Sequence, residues 1–278
     1  MRSSVKMPSA IQVISAIGKV TFFEIMRDRV LYNILLCSVL LLSAEWVASQ
    51  LAAIHPERVV LDFGLSSISI SGVAMGLLIG AGLLSRDMRN RTFHMAICRP
   101  ITKTQFILGK FTGISCVLFL NWFILSFIYL ILLSAFGLDG ITYLIGADAQ
   151  GISAYSTLFI AIGFCFMQSL LVASWSILIS TFSTTSVSVV LVLGIYLVGS
   201  NISQLKLVAA RLESPLGRQF LPVIATLLPN FEYFQLGTKV TYGLPLATAY
   251  VLQTIFYGGL MLCLTLMLAG ILVRNREG

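Results

Sequence analysis

Charged side chains are scarce in this sequence. Of its 278 residues only 10% are Asp, Glu, Lys or Arg, while 58% are hydrophobic. Soluble domains carry about 25% charged residues and about 45–50% apolar ones. So little charge excludes a sizeable soluble domain, because too few polar residues remain to cover one. Long apolar runs between short polar loops instead predict an all-α integral membrane protein with a single domain over residues 1–278.

Side chains for metal binding or catalysis are equally few. The five cysteines form no C-x-x-C pair, so the sequence predicts neither a disulfide framework nor a metal site. The two histidines, His55 and His94, fall on opposite sides of the membrane and cannot share a site. No Ser/His/Asp set, H-E-x-x-H or G-x-x-x-x-G-K-[ST] occurs, so we predict a chain that is not an enzyme and has no cofactor of its own.

Six apolar segments are each near or above the ~20 residues that a helix needs to cross the hydrocarbon core. They are approximately 30–53, 65–85, 106–136, 153–180, 186–204 and 246–273. The segment 205–245 contains the run "FLPVIATLL", which is too short to cross and holds Pro222. A re-entrant or interfacial hairpin on the extracellular side is therefore predicted before the last span.

An amphipathic helix is predicted over residues 9–29, before the first span. Apolar positions such as Ile14 and Ile17 alternate there with charged ones, which is typical of a helix lying at the membrane interface. The alternative is a simple extension of the first span. Its charged residues either contact a partner or anionic lipid headgroups or form a solvated face; they are Glu24, Arg27, Asp28 and Arg29.

Lysine and arginine are distributed unequally between the two sides. With the N-terminus inside, thirteen of the eighteen fall on the inner side and five on the outer side. This bias predicts a multi-pass protein of the cytoplasmic (inner) membrane with both termini in the cytoplasm. The net charge of +7 is thus loop charge, and we expect no nucleic-acid partner.

Six of these basic residues lie in one stretch, "GLLSRDMRNRTFHMAICRPITKTQFILGK", from Gly82 to Lys110. Topology alone does not require the order of its residues. Pro100 ends any helix begun near Asp87, and Thr102 with Gln105 predicts the start of a new helix at Lys103. The cytoplasmic loop 86–105 then presents an apolar surface with a basic rim that suits docking to a cytoplasmic partner.

This loop resembles that of the ABC transporter type-2 (exporter) permeases, the membrane subunits of ATP-driven exporters. The matching positions are Asp87, Arg91, Thr92, Ile97, Arg99, Pro100, Lys103, Phe106, Gly109, Lys110 and Gly113. Two further stretches are similar to the family's elbow helix and its extracellular segment, "TFFEIMRDRVLY" and "LLPNFEYFQL…VTYGLP". Asp87 stands where many members have Glu, and Lys103 where many have Arg; both keep the charge.

The resemblance implies a transmembrane subunit that pairs with a second permease, identical or paralogous, around a central path. It also implies that residues 86–100, including Phe93, form a coupling helix contacted by separate ATP-binding-cassette ATPase subunits. ATP and Mg²⁺ would be bound by those partners. The sequence does not identify the cargo, although the apolar spans favour an amphipathic or lipid-like molecule.

Three glycines recur at every fourth residue of the second span, and they are Gly72, Gly76 and Gly80. This spacing places them on one smooth helix face that allows another helix to approach closely. Two interpretations are open. The face either packs against a helix of the same subunit or forms a dimer contact.

Polar residues within the spans also have two interpretations each. Glu45 either faces a cavity or reaches headgroups at the outer interface. Asn121 and Gln168 either line a substrate path or form hydrogen bonds between helices. These three are the candidate pathway residues.

The alternative function is a non-transporting membrane scaffold or assembly factor. Such a protein needs the basic loop only to fix its topology, so the order of residues 91–100 would not matter to it. A secondary transporter is disfavoured because inverted repeats and interrupted helices are not evident.

Overall fold

The computed structural model describes residues 9–51, 56–89, 102–135, 154–211, 228–241 and 246–275. In these ranges the chain is helical, which confirms the predicted all-α class. Its helices are α1 (Ala10–Met26), α2 (Arg29–Leu51), α3 (Pro56–Arg89), α4 (Lys103–Ala135), α5 (Ala154–Ser180), α6 (Thr185–Gly199), α7 (Ile202–Arg211), α8 (Gly237–Thr241) and α9 (Thr248–Asn275), with a 3₁₀ turn at Glu232–Phe234 before α8.

Five helices of the described chain are long and apolar enough to span a membrane, namely α2, α3, α4, α5 and α9. The bent pair α6 and α7 makes a sixth span if it is counted as one. Helices suit this setting because they satisfy every backbone polar group internally. Apart from Leu228, the predicted apolar run "FLPVIATLL" lies outside the described residues.

The fifth span, predicted over about 186–204, is not one continuous helix. Helix α6 ends at Gly199, and α7 leaves at 71° to it. Gly199 is in close contact with Pro229, and its carbonyl accepts a hydrogen bond from the Phe231 amide at 2.9 Å. The Asn201 side chain donates to the Leu197 carbonyl at 2.9 Å. These contacts end α6 after about 22 Å, at 1.5 Å per residue.

The helix that contains the second span begins nine residues before the predicted position 65. Helix α3 starts at Pro56, a residue whose fixed φ suits the first turn of a helix. The charged residues here indicate a loop in the sequence, yet Val60 and Leu61 are fully buried and Asp62 is part of the helix. As a result α3 is one continuous helix of 34 residues.

Helices α1 and α2 are separate, so α1 is not a continuation of the first span. Ser9 and Gln12 form a capping box at the start of α1, with reciprocal bonds of 3.0 and 3.4 Å. Arg27 ends α1, and the Asp28 carboxylate accepts a hydrogen bond from the Val30 amide at 3.1 Å at the start of α2. The helix predicted over 9–29 therefore ends earlier, and residue 29 is already the first of α2.

We call the two ends of the bundle the near end and the far end. The near end holds α1, the start of α4 and the end of α9, where Gly270 approaches Thr104. The far end holds the start of α3, the end of α4 and residues 228–241; there the Tyr129 ring packs on Gly64. A buried apolar cluster fills each half, and the clusters include Ile107 and Met75 at the near end and Tyr129 and Phe234 at the far end.

Candidate functional site

A cavity of about 230 Å³ opens in the far half of the bundle between α3, α5, α6 and residues 234–238. One side of its lining is apolar and includes Leu65, Ile70 and Phe234. The other side is polar and consists of Asp62, Ser66, Ser69, Gln168, Tyr196, Gln235 and Thr238. A cavity of mixed polarity, lined by several helices, is typical of a ligand site in a helix bundle.

Gln168 organises the polar wall of this cavity. Its side chain is fully buried, accepts a hydrogen bond from the Ser69 hydroxyl at 3.2 Å and donates to the Tyr196 hydroxyl at 3.0 Å. Three helices are thus joined by one amide, which holds the hydroxyl groups of α3 and α6 at the cavity.

The polar residues of α3 share one face. Asp62, Ser66 and Ser69 are spaced by four and three residues, so they lie above one another along the helix. Asp62 and Ser66 are exposed, in a helix that otherwise spans the bilayer. Polar groups facing lipid are costly, so this face borders an aqueous or ligand-filled space. Sequence reasoning missed Asp62 and Tyr196; the helical spacing from Asp62 to Ser69 was the available signal.

Residues 228–241 close the cavity at the far end and are fixed by contacts with α9. The Asn230 amide donates to the Tyr257 hydroxyl at 2.8 Å, and the Tyr250 hydroxyl donates to the Tyr233 carbonyl at 3.0 Å. The Lys239 ammonium lies 3.7 Å from the centre of the Tyr250 ring, and partial burial lowers the pKa of Lys239. The wall of the cavity next to α8 is therefore held in place.

The other two predicted pathway residues do not line this cavity. The Asn121 amide donates to the Ser71 hydroxyl at 3.1 Å between α4 and α3, which is the alternative of a hydrogen bond between helices. Glu45 is only 1% exposed and faces the protein, so it does not reach the headgroups. Among the described residues, neither of its carboxylate oxygens has a hydrogen-bond partner. Only Gln168, of the three, borders the cavity.

The glycine face of α3 lies against α5 of the same chain; its members are Gly72, Gly76 and Gly80. A Cβ added at Gly72 would come within 2.9 Å of Ser169 Cβ, and one at Gly76 within 2.9 Å of the Ser169 carbonyl oxygen. A Cβ added at Gly80 would come within 2.8 Å of Ser176 Cβ. The Ser176 hydroxyl also donates to the Leu77 carbonyl at 2.9 Å.

These contacts decide between the two interpretations of the glycine face. Small residues on both helices let α3 and α5 approach closely within one subunit. Because α5 already covers Gly72, Gly76 and Gly80, these positions are not available to a second subunit. The described structure therefore matches the interpretation of packing within one subunit.

Helix α1 packs on the start of α4 through a second close contact between small residues. Gly18 approaches Thr112, and Gly113 approaches Thr21. The Lys110 ammonium, nearly buried, forms a salt bridge to the half-exposed Glu24 carboxylate at 3.1 Å. The predicted interfacial helix is thereby connected to the helix that follows the predicted coupling loop.

We expect the pair Glu24–Lys110 to contribute about 1 kcal/mol of coupling energy, because Glu24 is half exposed and solvent screens the attraction. Glu24→Lys should lower the melting temperature of the purified protein. The double variant Glu24→Lys, Lys110→Glu should recover part of that loss. Lys19→Glu, a charge reversal at an exposed position of α1, is the control. A double variant no more stable than Glu24→Lys would contradict the pairing.

The predicted coupling residues frame the connection between α3 and α4. Asp87 belongs to the last turn of α3, and Lys103 is the first residue of α4. The predicted start of α4 is confirmed, since the Thr102 amide donates to Gln105 Oε1 at 3.1 Å and the Gln105 amide to the Thr102 hydroxyl at 3.4 Å. The remaining predicted coupling residues lie outside the described residues; they are Arg91, Thr92, Phe93, Ile97, Arg99 and Pro100.

Comparison with known proteins gives one family. Residues 10–273 match the family described as ABC-2 family transporter protein. The match covers the described helices almost completely, including α1, the last span and the two helices on either side of the predicted coupling loop. No curated protein matches the chain significantly.

Proposed function

Since the chain belongs to the ABC-2 family of transporter proteins, we propose that it is the permease subunit of an ATP-driven exporter. Two permeases, identical or paralogous, surround the translocation path. ATP and Mg²⁺ are bound by separate ATP-binding-cassette subunits, because this sequence has no P-loop. The family match and the predicted coupling loop support this proposal.

The observation that carries the proposal is the continuity of α3. This helix leads from Arg89, beside the coupling loop, to Asp62 at the cavity without interruption. At 1.5 Å per residue the two positions are about 40 Å apart. A displacement of the loop would therefore be transmitted to the cavity wall by a single rigid element.

Because α3 packs closely on a neighbouring helix, the two would move together. Its glycine face is packed on α5, and α1 is packed on the start of α4. A push on the loop thus acts on two helix pairs, α3 with α5 and α4 with α1. ATP binding drives transport if the ATPase contacts the loop differently in its two states, because only differential binding shifts an equilibrium. The basic and acidic residues at the end of α1 and start of α2 provide a second contact for the ATPase or for lipid headgroups.

The near end and both termini are proposed to lie in the cytoplasm. Cysteines introduced at Thr102 (near end) and Thr238 (far end) test this in intact cells. A membrane-impermeant maleimide should label the cysteine at 238 from outside and the cysteine at 102 only after permeabilisation. The chain without added cysteines gives the background. Labelling of position 102 from outside would reverse the orientation.

Purification from native membranes in mild detergent tests the function itself. An exporter subunit should bring along a protein that carries a P-loop, in a fixed ratio to the permease. A scaffold would bring along other proteins and no P-loop subunit. Absence of any P-loop protein, from membranes in which the permease is intact, would contradict the exporter proposal.

A further inference from the structure

We propose that the cavity between α3, α5 and α6 binds the ammonium group of an amine-bearing amphiphile, with Asp62 as the counter-ion. The cargo class follows if the proposed export function holds; the binding itself does not depend on it. The inference rests on the charge of the lining, on the arrangement of hydrogen-bond acceptors and on the division of the cavity into a polar and an apolar side.

The charge of the cavity is negative. Among the described residues that line it, Asp62 is the one charged side chain, and no lysine, arginine or histidine is present. Within the described part of the chain no hydrogen bond or salt bridge engages the Asp62 carboxylate. Arg58, one turn earlier on α3, does not line the cavity. A carboxylate without a partner favours a cation, because charge-assisted hydrogen bonds are the strong ones.

The uncharged polar groups can accept hydrogen bonds from an ammonium ion. The Ser66 hydroxyl and the Gln235 side chain supply acceptor oxygens near the exposed carboxylate. The Gln168 side chain accepts a hydrogen bond from Ser69 and donates one to Tyr196, so it fixes the wall of the cavity. A hard metal cation is a poor fit, since Ca²⁺ takes six to eight oxygen ligands and usually several carboxylates.

The remaining wall accounts for the apolar part of the ligand. Leu65, Ile70 and Phe234 lie along the cavity next to the polar face. Ile70 is 56% exposed, so an apolar chain can continue from the cavity along α3 towards lipid. With about 230 Å³ available, a primary ammonium group and the first carbons of an alkyl chain fit inside.

Binding is tested on the full chain in zwitterionic nanodiscs by calorimetric titration with octylammonium, octanol and octanoate. Empty nanodiscs provide the correction for partitioning. Octylammonium should bind saturably and more tightly than the other two. Asp62→Asn should weaken octylammonium binding about tenfold or more, as expected for loss of a charge-assisted bond. Octanol should bind the variant and the wild type alike.

Two variants make the test specific. Glu232→Gln removes a carboxylate at the same end that lies outside the cavity and accepts hydrogen bonds from Ser203; it should bind octylammonium as the wild type does. Ser66→Phe fills the cavity without removing the carboxylate and should abolish binding. Equal binding of octylammonium and octanol, preference for octanoate, or an unchanged Asp62→Asn would each overturn the proposal.

The outcome is separable from that of the proposed function. Octylammonium binding by a chain that recruits no P-loop subunit would leave the cavity assignment standing and remove the exporter. A complex with an active ATPase that binds no octylammonium would leave the exporter proposal standing and remove the cavity assignment.

Discussion

Gly76→Leu is expected to remove most of the folded protein. Gly76 is at the centre of the close contact between α3 and α5, where an added Cβ would lie 2.9 Å from the Ser169 carbonyl oxygen and 3.3 Å from the Ala173 amide nitrogen. Both are backbone atoms of a helix, so neither can rotate away. The two helices must separate, and the contacts of Gly72 and Gly80 on either side are lost as well.

The cost follows from packing. Inserting methylenes into a well-packed interior costs about 1–3 kcal/mol, and displacing a whole helix pair exceeds this range. Stabilities of folded proteins are only about 5–15 kcal/mol, so the yield of monodisperse protein and its melting temperature should both fall sharply.

Gly163→Leu is the matched control. Gly163 is on α5, and an added Cβ there has no neighbouring atom of the described chain within 4 Å. The same substitution should therefore leave yield and melting temperature nearly unchanged. Gly76→Leu with a stability equal to that of Gly163→Leu would show that α3 and α5 do not pack as described.

Scrambling residues 91–100 while keeping their composition is expected to uncouple the ATPase from the permease. Charge and hydropathy stay constant, so the topology is preserved. What changes is the order of the apolar and basic positions that we propose to dock on the ATPase. Coupling free energies are typically about 1–3 kcal/mol, so cargo-dependent ATPase activity should fall by roughly 5–150-fold.

The control for this variant is an equal scramble of residues 140–149, which lie between α4 and α5 in the sequence. It should leave cargo-dependent ATPase activity unchanged. A scaffold would show no cargo-dependent ATPase activity in any of these chains. Full cargo-dependent ATPase activity of the 91–100 scramble would contradict the coupling role of this segment.

The helices were largely predictable from the sequence because both hydropathy and helix-capping residues act over a few neighbouring positions. The start of α4 is an example, since Thr102 and Gln105 satisfy each other's backbone within one turn. The break at Gly199 was not predictable in this way. It depends on Pro229 and Phe231, which are distant in sequence and press on the end of α6.

The candidate site was less predictable, because its residues are assembled by contacts between helices. Gln168 could be named from the sequence as a polar residue in a span, but its partners Ser69 and Tyr196 could not. The sequence places Asp62 in a loop because charge near the end of a span usually marks one. The fold instead extends α3 past it and turns that carboxylate towards the cavity.

The measurement that tests the account most directly is the ATPase rate of the complex purified from native membranes. Wild type is compared with the double variant Arg99→Ala, Pro100→Ala. Each rate is compared with the rate of the ATPase subunit without the permease. The account predicts that a P-loop subunit co-purifies with the wild type, and that the double variant either loses this subunit or retains it with an ATPase rate no longer dependent on the permease. A double variant with the same subunit and the same permease-dependent rate as the wild type would contradict it.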